Sequence, residues 1–278
     1  MAPIEDRPTS MRTLKASQLL EQGRAHASGT NLEIKTGIEV LDRCTHGLPV
    51  GLVLLAGRHA SGHKLLARQI ALNASRTVST QVIWFSTQFN GEFLVSQFLA
   101  HAEANQVLAD SHALTIIDTP RLTMDMMRTK LNELLDPVNR GQSLIIVDKL
   151  EILLRSCPPD PIGPTEIAHQ IRSIAQAHNA SLIICCGLSR KPEERKNKAP
   201  RLSDLRKAYP FVLEADQVMA AYFPHYYEPE RFPDDEWQLL ILKNRNGSRG
   251  SVGMPTTMLL RPPFEPLPNT PETLKEQP

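Results

Sequence analysis

Gly57-Arg58-His59-Ala60-Ser61-Gly62-His63-Lys64 follows the apolar run Val50 to Ala56 and opens a helical pattern over 64–74. A glycine loop between a strand and a helix is the frame of a phosphate-binding loop, G-x-x-x-x-G-K-[ST]. In that motif backbone N–H groups and the helix N-terminus cradle phosphates. The Lys reaches the β- and γ-phosphates, and the Ser/Thr hydroxyl holds Mg2+. Here both glycines keep their places, but His63 stands at the Lys position and Lys64 at the hydroxyl position. His63 is shorter than Lys and mostly neutral near pH 7, so it offers a phosphate one hydrogen bond and little charge. One helical residue turns a side chain by about 100°, so Lys64 is expected to point away from the direction a phosphate-binding Lys takes. Leu65 cannot ligate Mg2+. Residues 57–64 are therefore read as a degenerate phosphate loop.

Outward from the loop the chain alternates. Nearly continuous apolar runs at 51–56, 81–86, 114–118, 143–148 and 181–186 are separated by amphipathic helical patterns at 64–74, 91–101, 123–135 and 164–178. That rhythm predicts an α/β domain, a parallel sheet covered by helices on both faces. After Asp216, the segments 217–223, 237–243 and 251–260 are joined by short polar or Pro-rich turns and predict an antiparallel extension. Residues 1–35 are expected to be a loose N-terminus with a linker-like helix over 14–27, residues 36–265 the α/β domain, and 266–278 a disordered tail.

The chain has 278 residues, room for one large α/β domain or two small ones. A net charge of +1 excludes global basicity, so any nucleic-acid binding must come from a local patch. The four cysteines, Cys44, Cys157, Cys185 and Cys186, show no metal spacing. Cys185 and Cys186 lie in an apolar run and are read as core thiols facing opposite sides of a strand. A reducing cytoplasm suits them, and no apolar run is long enough to span a bilayer. His46, His59 and His63 lie near one another in sequence without metal-ligand spacing.

Several landmarks recur in a fixed order. Thr36-Gly37-Ile38-Glu39-Val40-Leu41-Asp42-Arg43 and Gly47-Leu48-Pro49-Val50-Gly51 lead into the loop. Ile83-Trp84-Phe85-Ser86, Ile117-Asp118-Thr119-Pro120-Arg121-Leu122-Thr123, Leu144-Ile145-Ile146-Val147-Asp148 and Leu188-Ser189-Arg190 follow. Leu202-Ser203-Asp204-Leu205-Arg206, Glu214-Ala215-Asp216 and Lys243-Asn244-Arg245-Asn246-Gly247 close the series. Together they resemble the RecA-like P-loop motor domain of the DnaB-type replicative DNA helicase family, from about residue 36 to about residue 263. The resemblance implies a ring, usually of six subunits, with ATP between neighbours and single-stranded DNA in the channel. The family's helical N-terminal domain has no counterpart in this sequence.

The resemblance also assigns roles. Asp148, ending a run of four aliphatics, matches the carboxylate that holds Mg2+; a lone Asp at a strand end is otherwise a common turn residue. Gln88 falls where the family has its catalytic Glu, and a neutral amide orients water without accepting its proton. Glu92, one helical turn on, is expected to face solvent. Gly187 falls where the family carries a γ-phosphate-sensing Gln. Lys243 and Arg245 match a basic pair that reaches into the neighbour's nucleotide site; ordinary surface charge is the plainer alternative. Arg190, Lys191, Arg195, Arg201, Arg206 and Lys207 belong to the densest basic stretch of the chain and match loops that contact the DNA backbone. Lys207-Ala208-Tyr209-Pro210-Phe211 replaces the family's Gly-bearing channel loop, and Tyr209 or Phe211 would stack on a base or make an apolar subunit contact.

Two function classes stay open on the sequence. One is an active ATP- and Mg2+-dependent 5′–3′ DNA helicase. The other, which the altered residues favour, binds single-stranded DNA with ATP hydrolysis weak or lost, acting as a helicase-associated scaffold or loader. Its ring would be of its own copies or mixed with a full-length helicase. A clock- or repair-type RecA relative fits the fold but accounts less well for residues 202–206 and 243–247.

Overall fold

Aliphatic and β-branched residues fill the central strands, where nearly every position is buried, as a sheet covered on both faces requires. The computed structural model describes residues 34–77, 80–99, 114–135, 142–156 and 163–256. In chain order these form α1 (Glu39–Thr45), β1 (Gly51–Gly57), α2 (His63–Ser75), β2 (Thr80–Ser86), α3 (Gly91–Leu99), β3 (Leu114–Asp118), α4 (Met124–Leu134) and β4 (Gln142–Asp148). They continue with α5 (Leu150–Ser156), α6 (Pro164–Ala177), β5 (Ala180–Gly187), α7 (Tyr209–Glu214), β6 (Gln217–Tyr222), β7 (Glu236–Asn244) and β8 (Gly250–Pro255). The linker helix expected over 14–27 and the tail at 266–278 lie outside the described residues.

One eight-stranded sheet has the order β3-β2-β4-β5-β1-β6-β7-β8. The pairings from β3 through β6 are parallel, and β7 and β8 run antiparallel at one edge. The five expected parallel strands are all present. One expectation is corrected: β6 (Gln217–Tyr222) is parallel to β1 and so belongs to the parallel core, and only β7 and β8 form the antiparallel edge. The chain from β5 to β6 is long enough to cross back over the sheet, which is what a parallel neighbour needs.

Alternate residues of each strand enter opposite cores. Leu52, Leu54 and Ala56 of β1 pack with Met127 and Leu131 of α4, Leu153 of α5 and Ile171 of α6. Val53 and Leu55 pack with Leu66 and Ile70 of α2, Phe98 of α3 and Trp237 of β7. The adjacent thiols split the same way: Cys185 lies in the second core and Cys186 in the first, both buried. This stacking brings the C-terminal ends of β1, β2, β4 and β5 to one edge of the sheet, the usual place for a ligand crevice in an α/β fold. Among the described residues, no helix is long and apolar enough to cross a membrane.

Candidate functional site

Gly57 ends β1 and His63 begins α2, so the loop between them presents its backbone at a helix N-terminus. A Cβ at Gly57 would lie 2.2 Å from Ser61 Oγ and 2.3 Å from His63 Nδ1, so only glycine fits there. Gly62, the residue before α2, has φ 86°, a left-handed conformation natural to glycine. The loop is fastened from both sides of the sheet. Leu188 N donates to Gly57 O at 3.1 Å, and Trp237 Nε1 donates to Ser61 O at 2.6 Å.

His63 turns inward rather than toward a ligand. It is 8% exposed and pairs with Ser61 through Nδ1 at 3.2 Å. Burial first, then the charges of Lys64, Lys149 and His59, hold its pKa down to about 3. The ring is neutral at physiological pH and brings no charge to a phosphate.

Lys64 reaches the carboxylate at the end of β4. Its ammonium lies 2.7 Å from Asp148 Oδ1, donates to Gln88 Oε1, and sits 5.6 Å from the centroid of the Phe89 ring. The approach to Asp148 Oδ1 is too oblique for a hydrogen bond, so that contact is charge pairing alone. Rotation around the helix does set where the side chain leaves the backbone. The four-carbon stem then carries the charge back across the cleft to β4. Asp148 is the last residue of β4 and 4% exposed. Its main chain is locked to the end of β2: Thr87 Oγ1 donates to Asp148 O at 2.6 Å and accepts from Lys149 N at 2.8 Å. Gln88 and Glu92 are exposed.

Two residues that sequence reasoning passed over join this crevice. Arg68, one helical turn after Lys64, is 7% exposed; burial lowers its pKa while the charge of Asp148 pulls the other way. Its i+4 spacing from Lys64 on α2 was the available signal. Glu151 of α5 accepts Gly187 N through Oε1 at 2.8 Å, while its Oε2 is buried without a hydrogen-bond partner. A side chain at Gly187 would meet Glu151 Oε1 at 2.9 Å, so Glu151 fills the space beside the position of a γ-phosphate sensor.

Lys243 and Arg245 do reach the same side, but into their own chain. Lys243 Nζ donates to Val212 O at 2.8 Å and Leu213 O at 3.0 Å, carbonyls at the end of α7. Arg245 donates to Asp216 Oδ1 at 3.0 Å and Leu213 O at 3.2 Å. Arg172 of α6 completes the cluster, 3.2 Å from Asp216 and 3.4 Å from Glu214. Burial and then Arg245 lower the pKa of Lys243.

The basic stretch divides. Arg195 grips Asp204 with both terminal nitrogens, at 2.8 and 2.9 Å, and Ala199 O at 2.9 Å; Asp204 is 1% exposed. Arg195 is thus a structural clamp rather than a free cation, a correction to its expected role. Arg190, Lys191, Arg201, Arg206 and Lys207 are exposed. Phe211 is wholly buried and cannot stack on a base, which leaves Tyr209, 52% exposed, as the aromatic that can.

A family model, the DnaB-like helicase C terminal domain, matches residues 97–258, more than half of the chain. The chain belongs to that family. It is 29% identical over 247 residues to the replicative DNA helicase DnaC of Bacillus subtilis, covering 80% of this chain and 54% of that protein. With the replicative DNA helicase DnaB of Geobacillus stearothermophilus the identity is 27% over 244 residues, covering 79% and 53%. The chain therefore spans about half the length of these relatives. Among solved structures, a DnaB-like replicative helicase, described together with its interactions with primase, superposes with a TM-score of 0.74 at 19% identity, over 90% of this chain and 66% of that one. A KaiC-like protein of Pyrococcus horikoshii superposes with a TM-score of 0.60 at 14% identity, over 80% and 93%. These place the sheet among RecA-like ATPase folds.

Against a magnesium nucleotide, this DnaB-like domain fits in part. The glycines that shape a backbone cradle, Gly57 and Gly62, are kept, while Ser61 N between them donates to Arg58 O at 3.1 Å. The side chains do not fit the ion, because a lysine replaces the coordinating hydroxyl and pairs with the carboxylate that would hold the metal. The amide oxygen of Gln88 likewise accepts from Lys64.

Proposed function

We propose that this chain serves DNA replication as a DnaB-like domain that binds single-stranded DNA and copies of its own fold, with ATP hydrolysis weak or absent. The observation that carries this reading is the Lys64 ammonium lodged between Asp148 and Gln88. It occupies the two positions from which the family's chemistry would be run, those of the metal carboxylate and the general base. Loss of a general base alone typically costs roughly 10²–10⁴-fold in rate. The exposed Arg190, Lys191, Arg201, Arg206 and Lys207 support a sequence-independent grip on phosphates. Kinship with proteins named as replicative DNA helicases supports the process served.

Fluorescence anisotropy with a labelled oligonucleotide tests the reading. Binding is expected without ATP, weakening with salt by a log–log slope of about −0.7 per phosphate contact. Binding that requires ATP, or DNA-stimulated ATP turnover at a rate of about 1 per second or faster, typical of working enzymes, would overturn it. Gel filtration of the chain alone and with a full-length helicase distinguishes a ring of its own copies from a mixed one.

A further inference from the structure

A divalent ion at a phosphate loop takes the hydroxyl that follows the loop Lys and a carboxylate from the neighbouring strand. This chain keeps the carboxylate and puts its own positive charge beside it. We propose that Lys64 Nζ is a resident cation in place of the divalent metal, so that the loop accepts a metal-free polyphosphate and excludes Mg2+. The inference deepens the reading above and rests on its claim that the site has left metal-assisted hydrolysis behind.

Three features of the crevice carry it. The ammonium is anchored by Asp148 at 2.7 Å, by Gln88 Oε1, and by the Phe89 ring at 5.6 Å, so it is held in place rather than swinging in solvent. A second cation, Arg68, is buried one turn further along α2 and interacts with the same carboxylate. Two positive groups therefore already face one negative group, and a doubly charged ion entering there would be repelled by both. The loop meanwhile keeps its shape at a helix N-terminus, since Gly57 has no room for a Cβ and Gly62 takes its left-handed turn before a 13-residue helix. Ser61 N donates to Arg58 O, which leaves the N–H groups at the start of the helix to meet a phosphate. With His63 buried and neutral, Lys64 is the remaining charged group at the motif's Lys and hydroxyl positions. A nucleoside diphosphate or an inorganic pyrophosphate would meet backbone donors and one ammonium, with no metal between.

Isothermal titration of the native chain with ADP, and separately with pyrophosphate, in excess EDTA and in excess Mg2+, tests this. The expected binding is several-fold weaker in excess Mg2+ than in EDTA, because Mg2+ draws the polyphosphate into a solution complex that the site rejects, and Mn2+ titrated alone shows no uptake in its paramagnetic resonance signal. Lys64→Thr, checked for folding by its thermal transition, should bind ADP at least about tenfold more tightly with Mg2+ than with EDTA, a difference of one decade in affinity. Native binding in excess Mg2+ that equals or exceeds that in EDTA, or native uptake of Mn2+, overturns the proposal. Binding of neither ligand in either condition also overturns it, yet leaves the non-hydrolysing DNA-binding reading intact. DNA-stimulated ATP turnover by the native chain would remove that reading instead.

Discussion

His63 occupies the position of a phosphate-binding lysine with its imidazole buried against Ser61 and its pKa held down to about 3. In the unfolded chain the same ring titrates near 6.5. Between those values the unfolded state binds the extra proton, so stability rises with pH there and falls on acidification. The ring should contribute a loss of about 2–3 kcal/mol between pH 6.5 and 4.5. Thermal melts of native protein and His63→Gln across that range should show a shallower acid slope in the variant. Arg195 and Arg206 separate structure from binding in the same way. Arg195→Ala strands the buried Asp204 carboxylate and should cost about 2–3 kcal/mol in urea unfolding, discounted from a fully buried pair because the Arg is partly exposed. Arg206→Ala should leave stability within about 0.5 kcal/mol and weaken DNA binding. At this scale the sequence showed which residues were altered but not which carboxylate Lys64 meets. Helical rotation was legible; the reach of a long flexible stem to a carboxylate on another strand was not. Arg195 was misjudged for a related reason, since nothing local in the sequence shows that Asp204 is buried nine residues away in its grip.

The elements most easily read were those with a single strong period, the five parallel strands and the helices over 63–75, 91–99, 124–134 and 164–177. Those missed were short: α1, α5 and α7 have six or seven residues each, too few for a periodicity to declare itself. In α7 the proline at residue 210 also suggested a loop, though the first turn of a helix tolerates it. β7 has a role that its alternation alone did not disclose. It carries Trp237 to Ser61 O and so ties the antiparallel edge to the phosphate loop. Trp237→Phe should cost about 1 kcal/mol, mostly the lost hydrogen bond. Amide hydrogen exchange in residues 58–62 should accelerate more than in β1 if the tie holds the loop; equal change throughout would show that it does not.

Across the whole molecule, the parallel order of β3 through β6 gathers Gly57, Thr87, Asp148 and Gly187 at one edge, where the family's chemistry would take place. That gathering was legible from the alternation of strands and helices. The charge arrangement inside it was not, because the contacts of Lys64 with residues 88 and 148 join segments far apart in the chain. Under the proposed function, three side chains, His63, Lys64 and Gln88, switch off hydrolysis on an otherwise preserved scaffold. Steady-state ATP hydrolysis with and without single-stranded DNA, in the native chain and in His63→Lys/Lys64→Thr/Gln88→Glu, tests that claim most directly. Turnover is expected in the triple variant at least about 10²-fold above the native chain, the lower bound for a restored general base. Equal DNA-stimulated turnover in both would contradict it, since the native residues would then be running the reaction.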